Sequence, residues 1–222
     1  IKRELSWNQL EVDVNKFANY LKKQGIKRGD RVGGVLPNIP ETVVAFLSCS
    51  KIGAVWSSCS ADFGPDAIID RFNQIKPKIL IVSDYYYYNN KKIETLSKIK
   101  KIKKTIRSIK KVVIVSYINI SKKHKVKFAY DNWSSILSSY KELKEGKVFD
   151  FNAPLYILYS SGTTGKPKCI VHGAGGSLLH HTKEHQLHCN ITPKSRVFYF
   201  TTCGWMMWNW LVSSLASKAS IV

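Results

Sequence analysis

No C-x-x-C pair occurs among the five cysteines, Cys49, Cys59, Cys169, Cys189 and Cys203, which are odd in number and widely spaced. That argues against a disulfide framework and a four-thiolate zinc site, and points to a reducing, cytoplasmic setting. No stretch comes near the roughly 20 uncharged apolar residues that cross a bilayer, so no membrane partner is expected. The first residues, Ile1-Lys2-Arg3-Glu4-Leu5, lack an initiator Met and the apolar region of a signal peptide. At the other end, Ser220-Ile221-Val222 reads as the start of a buried strand with nothing following to pair it. Both ends read as those of a fragment of a soluble protein.

Acidic residues are scarce, 15 against 35 Lys and Arg, for a net charge of +20. Such an excess ordinarily suggests a nucleic-acid or membrane partner. Its distribution argues otherwise, because residues 91 to 127 alone hold 14 Lys or Arg against one acid, Glu94. The run follows Tyr85-Tyr86-Tyr87-Tyr88-Asn89-Asn90 in a stretch made largely of Lys, Ile, Asn, Tyr and Ser. All of these have A/T-rich codons, so residues 85 to 127 read as an irregular, solvated segment shaped by compositional drift. It carries no recognisable binding motif, and no specific nucleic acid is expected. The chain is otherwise rich in core-forming residues, 44% apolar and 12% aromatic, which excludes disorder.

Helical and strand patterns alternate. Leu10, Val14, Phe17 and Leu21 recur at helical spacing between a candidate N-cap, Ser6, and a stop signal, Gly25, predicting a helix over 6 to 24. Strands are expected at 31 to 36, 54 to 59, 78 to 83 and 112 to 115, and helices at 40 to 51 and 65 to 75. Asp131-Asn132-Trp133 reads as the opening of a short helix. The pattern implies an α/β fold with a largely parallel sheet flanked by helices. A subdomain boundary is placed near residue 150, dividing a first α/β unit, 1 to 150, from the start of a second, 151 to 222.

A new apolar strand at 155 to 159 then runs into Tyr159-Ser160-Ser161-Gly162-Thr163-Thr164-Gly165-Lys166-Pro167-Lys168, expected as an exposed strand-to-helix loop. Gly162 and Gly165 permit close backbone approach. The hydroxyls of Ser160, Ser161, Thr163 and Thr164 can donate to phosphate oxygens, and Lys166 and Lys168 supply charge. That is the chemistry of a polyphosphate cradle. It is not the G-x-x-x-x-G-K-[ST] loop, which would need Gly at 160 and Ser or Thr at 167, where Ser160 and Pro167 stand.

This segment closely resembles the signature loop of the AMP-forming adenylating superfamily, which includes acyl-CoA synthetases, luciferases and nonribosomal peptide adenylation domains. The resemblance covers nearly the whole chain apart from the Lys-rich stretch. Three further segments narrow it: Gly53-Ala54-Val55-Trp56-Ser57-Ser58-Cys59-Ser60-Ala61-Asp62-Phe63-Gly64, then Asp70-Arg71-Phe72, and Thr201-Thr202-Cys203-Gly204-Trp205-Met206-Met207-Trp208-Asn209-Trp210. Together they look like the acetoacetate:CoA ligases rather than their acetyl- or propionyl-specific relatives. Another short-chain acyl-CoA synthetase of the same superfamily is the alternative.

The resemblance implies ATP, Mg2+ and coenzyme A, with acetoacetate as the acid, and an acyl-adenylate intermediate. It further implies that Ser160 to Lys168 grip phosphate, with Thr163 and Thr164 as hydroxyl donors and Lys166 as the nearest cation. Trp205, Met206, Met207, Trp208 and Asn209 match a motif that in the superfamily starts a helix near the acyl pocket. Related acetate-activating enzymes carry Asp two residues before the Gly-Trp of this motif, where this chain has Thr202. The family's adenine- and ribose-binding motifs, hinge and catalytic lysine lie downstream of the matched region, so no catalytic residue is assigned here and the chain is not expected to turn over alone.

Two rivals remain. One is a nucleic-acid-binding module built on the basic run. The other is a zinc hydrolase, because His181-Thr182-Lys183-Glu184-His185 fits H-x-x-E-H, with His188 a turn further. There is no independent third-ligand motif, and no metal is assigned. His172, just after the loop, is close enough in sequence to approach a nucleotide or to serve in packing.

Overall fold

The computed structural model describes residues 3–118, 124–160 and 165–222. Helix α1 (Trp7–Lys23) starts at Ser6, whose hydroxyl accepts from the Gln9 amide at 3.2 Å, and gives way to Gly25 at φ +79°. Then come β1 (Arg31–Val35), α2 (Pro40–Ile52), β2 (Val55–Cys59), α3 (Pro65–Ile75) and β3 (Ile79–Ser83). Pro40 and Pro65 open their helices, where a missing amide costs nothing. Next are β4 (Tyr85–Tyr88), β5 (Lys91–Glu94), α4 (Leu96–Thr105), β6 (Lys111–Val115), β7 (Asp131–Asn132), α5 (Trp133–Ser139) and β8 (Pro154–Ser160). The chain continues through β9 (Lys168–Gly173), α6 (Ala174–Lys183) with a π-helical turn to His188, β10 (Arg196–Val197), α7 (Met206–Ser213) with a 3-10 turn to Ser217, and β11 (Ser220–Ile221).

A seven-stranded sheet in the order β7-β6-β3-β1-β2-β8-β9 organises the molecule. Every neighbouring pair is parallel except β8 and β9. Alternate residues divide between two cores: Ile79 and Ile81 face α1, α2 and α5, while Leu80 and Val82 face α3 and α4. Burial on both faces is why these strands read as continuous apolar runs. Within β1, a Cβ on Gly34 would lie 2.5 Å from Cη2 of Trp56. The strand must lack a side chain there for the indole, 1% exposed, to lie across it.

Three expectations need correction. The segment 85 to 127 is not irregular over its described part. Tyr85 pairs with Glu94 and Tyr88 with Lys91 in an antiparallel hairpin, turned by Asn89 and Asn90 at φ +47° and +58°. Ile99 and Ile102 on α4, together with Ile106 beyond its end, bury against α3 and the sheet and leave most of the helix's lysines outward. Residues 119 to 123 lie outside the described residues. Second, the loop after β8 returns as β9, an antiparallel strand, rather than as a helix. Third, Ser220–Ile221 finds its partner earlier in the chain, in parallel with Arg196–Val197. The expected boundary near residue 150 falls between α5 and β8, and β8 extends the same sheet beside β2 with Tyr156 level with Trp56.

Candidate active site

Ligands of open α/β sheets collect at the carboxyl ends of the strands. Here β2 and β8 are adjacent and parallel, so the turn from Ser60 to Gly64 and the loop after Ser160 leave from one edge. Ser160 closes β8 opposite Lys168 of β9. Ser161, Gly162, Thr163 and Thr164 lie outside the described residues. Gly165 and Lys166 follow, both exposed.

Helix α3 braces this loop from below. The Gln74 side-chain amide donates to the Pro167 carbonyl at 2.8 Å, and the Asp70 carboxylate lies 3.8 Å from Lys166 Nζ. Asp70 and Gln74 are one helical turn apart and so share a face. Between them and the sheet, the Arg71 guanidinium sits over the rings of Phe63 (4.8 Å) and Tyr159 (5.7 Å) and donates to the Ala67 carbonyl at 2.9 Å. Tyr159 is held from the other side by Ser57, 3.1 Å away. Burial first, then the nearby Cys59, push the Tyr159 hydroxyl's pKa up, so it remains a neutral hydrogen-bonding group. The bracing role of Asp70 and Gln74 was missed in the sequence, although their i, i+4 spacing on a predicted helix was a usable signal.

The second motif packs against the same edge. Ser58 Oγ donates to the Cys203 carbonyl, Trp56 Nε1 donates to Ser58 Oγ at 3.2 Å, and a Cβ on Gly204 would lie 3.4 Å from the Ser60 nitrogen. Trp205, at the start of α7, is 59% exposed, and Met206 Sδ accepts from the Tyr156 hydroxyl at 3.8 Å. Met207 is half-buried. Trp208 is fully buried, and its indole N–H donates to Asn38 Oδ1 at 2.9 Å. Asn209 is 3% exposed and donates to the Trp205 carbonyl at 3.4 Å, while its Oδ1 has no hydrogen-bond partner. The motif therefore splits into an exposed indole at the helix start and a tryptophan and asparagine turned into the core.

His172 stacks on Tyr156, with ring centroids 4.8 Å apart, and burial lowers its pKa. In the His-rich segment, His181 Nδ1 lies 2.7 Å from Ser213 Oγ and His185 packs on Trp210. Glu184 pairs with Lys183 at 2.6 Å instead of converging on the two imidazoles. Among the described residues no group of three or more His, Cys, Asp or Glu side chains is arranged to hold a metal ion. Among them, too, no helix is long and apolar enough to cross a membrane.

The profile of the AMP-binding enzyme family matches residues 1–222. The chain belongs to that family. Among AMP-binding enzymes, it is 45% identical over 225 residues to the acetoacetyl-coenzyme A synthetase of Rhizobium meliloti (strain 1021), covering 100% of this chain and 34% of that protein. With the acetoacetyl-CoA synthetase of Xenopus tropicalis it shares 44% over 230 residues, 99% of this chain and 34% of the relative. The solved structure of acetoacetyl-CoA synthetase from Streptomyces lividans superposes with a TM-score of 0.92 at 36% identity, covering 99% of this chain and 33% of that one. The chain thus spans about a third of the length of the curated relatives it matches.

Proposed function

We propose that this chain supplies the phosphate-gripping loop and part of the acyl pocket of an acetoacetate:CoA ligase of the AMP-forming type. The observation that carries the reading is that Ser160, at the end of β8, and Cys203 and Gly204 of the second motif all lie beside the carboxyl end of β2, in a chain that acetoacetyl-CoA synthetases match along its whole length. The substrates are Mg-ATP, acetoacetate and coenzyme A. The acetoacetate carboxylate attacks the α-phosphorus and pyrophosphate leaves. The CoA thiol, losing its proton, then attacks the acyl carbon, and AMP leaves with the bonding electrons.

Both steps concentrate negative charge on phosphate or acyl oxygens, so the protein's task is positioning and electrostatic stabilisation. Ser160, Ser161, Thr163 and Thr164 donate hydroxyls, Gly162 and Gly165 admit the phosphates to the backbone, and Lys166 and Lys168 supply charge. Trp205 and Met206 to Asn209 form a wall of the acyl pocket, with Trp205 presenting its indole and Trp208 and Asn209 supporting the wall from the core. The unpaired state of all five cysteines fits a reducing cytoplasm.

The test is a transplant. The chain replaces the matching 225 residues of the Rhizobium meliloti relative. The chimera should support ATP–pyrophosphate exchange that depends on acetoacetate. A chimera that unfolds cooperatively at the relative's temperature yet shows no exchange refutes the reading.

A further inference from the structure

Lysines in the basic run are not all solvated. Lys98, on α4, sends its ammonium between the carbonyl oxygens of Ala61 and Phe63, the latter at 2.8 Å. These two carbonyls belong to the turn that joins β2 to α3. Burial lowers the lysine's pKa, partly opposed by the charges of Asp62 and Glu94. Its neighbours on the helix do other things: Lys101 makes a surface pair with Asp66 at 2.6 Å, and Lys100 is exposed.

The clamped turn adjoins the second motif and the helix that braces the end of the loop. Its first residue, Ser60, bonds the Asp62 carboxylate and lies against Gly204 of the second motif. Its last residue, Gly64, caps α3, the helix that holds Lys166 and Pro167 through Asp70 and Gln74. A turn has no ladder of backbone bonds to fix it, so carbonyls taken up by a half-buried cation gain both a partner and a fixed place.

We propose that Lys98 is a positioning residue for nucleotide binding: it locks the 60–64 turn, and through α3 it sets the exit of the phosphate loop. Its effect on catalysis rests on the ligase reading above, but its hold on the turn does not. Because the loop meets ATP already in the ground state, loss of the clamp acts on the KM for ATP more than on kcat.

Two measurements test it. In the 222-residue chain, Lys98→Met should speed amide exchange over residues 60 to 67 at least tenfold and leave residues 7 to 52 within threefold, and Lys98→Arg should restore protection. In the chimera, Lys98→Met should raise the KM for ATP about tenfold while kcat and the KM for acetoacetate stay within about threefold, with Lys98→Arg again restoring and Lys100→Met without effect. Should Lys98→Met fail to fold, Lys98→Gln, polar but too short to reach both carbonyls, carries the same comparison. Unchanged exchange at 60 to 67 overturns the clamp, and an unchanged KM for ATP in an active chimera overturns its link to the nucleotide. A wild-type chimera without exchange would count against the ligase reading alone, since the amide measurement stands by itself.

Discussion

Replacing Gly34 by Ala should unsettle the site from the neighbouring strand, where Gly34 lies in register with Ser58. The new methyl would lie 2.5 Å from Cη2 and 2.7 Å from Cζ2 of Trp56, where relaxed carbon contacts are about 3.5 to 4.0 Å. The indole must therefore retreat by about an ångström or more into a packed core, and such overpacking costs about 1 to 3 kcal/mol. For a chain of this size that is a fall in melting temperature of roughly 2 to 12 °C. The retreating ring also carries the Nε1–H that bonds Ser58, whose hydroxyl holds the Cys203 carbonyl, so the 203–205 segment should loosen with it. Thermal and urea unfolding give the first quantity, and amide exchange around Cys203 and Gly204 gives the second. Gly176→Ala is the control: it is helical, with nothing within 4 Å of the added carbon, and should stabilise by about 0.4 to 1 kcal/mol. If Gly34→Ala is as stable as wild type, the close approach does not constrain the strand and the argument fails.

In the chimera, Lys166→Ala combined with Thr164→Ala should cut pyrophosphate exchange by the equivalent of about 2 to 4 kcal/mol without unfolding; exchange at the wild-type rate would remove the loop from catalysis. Trp205→Phe should erode the preference for acetoacetate over butyrate, as judged by kcat/KM for each acid, because it deletes an exposed donor on the proposed pocket wall. Trp208→Phe should leave that preference alone and cost about 1 to 3 kcal/mol of stability, since the smaller ring leaves space in a core where the indole is fully buried; a selectivity change in this variant and none at Trp205 would reverse the assignment. For His181, burial first, then the neighbouring His185, His180 and His172, push the pKa down to about 4 against the opposing pull of Glu184. The unfolded imidazole takes its proton near pH 6.5, so stability is full above that pH and falls, by on the order of 3 kcal/mol, as pH drops towards 4. His181→Gln should flatten this acid limb in urea titrations, and an unaltered limb would show that another group carries it.

The parts of the fold that could be read in the sequence were those whose boundaries are set locally. Ser6 and Gly25 bracket α1, Pro65 starts α3, and the short, β-branched apolar runs around Ile81 and Val113 read as strands buried on both faces. The hairpin of β4 and β5 escaped because its turn is Asn89-Asn90 rather than a glycine-bearing pair, and its second strand is polar. Helix α4 was masked by lysine, although Ile99, Ile102 and Ile106 keep a helical period beneath it. The chemistry of the loop at 160 to 168 was legible in its composition. Its surroundings were not: the Asn38 that claims Trp208 lies 170 positions away in sequence. The acceptors of Lys98 are backbone carbonyls, which residue identities do not display.

The strand order has a consequence for how the protein is made. Strands β3, β1 and β2 are close in sequence and can pair as soon as they emerge, but β8 must dock on β2 from nearly a hundred residues later. At a synthesis rate of about 5 to 20 residues per second, that leaves the outer edge of β2 open for roughly 5 to 20 seconds on the ribosome. Until β8 arrives, the row of backbone groups around Trp56 is available to any other extended chain. The edge from which the 160–168 segment leaves is therefore the last of this sheet to be completed and the most exposed to mispairing, so slower growth or a chaperone that shields extended segments should raise the yield of folded protein.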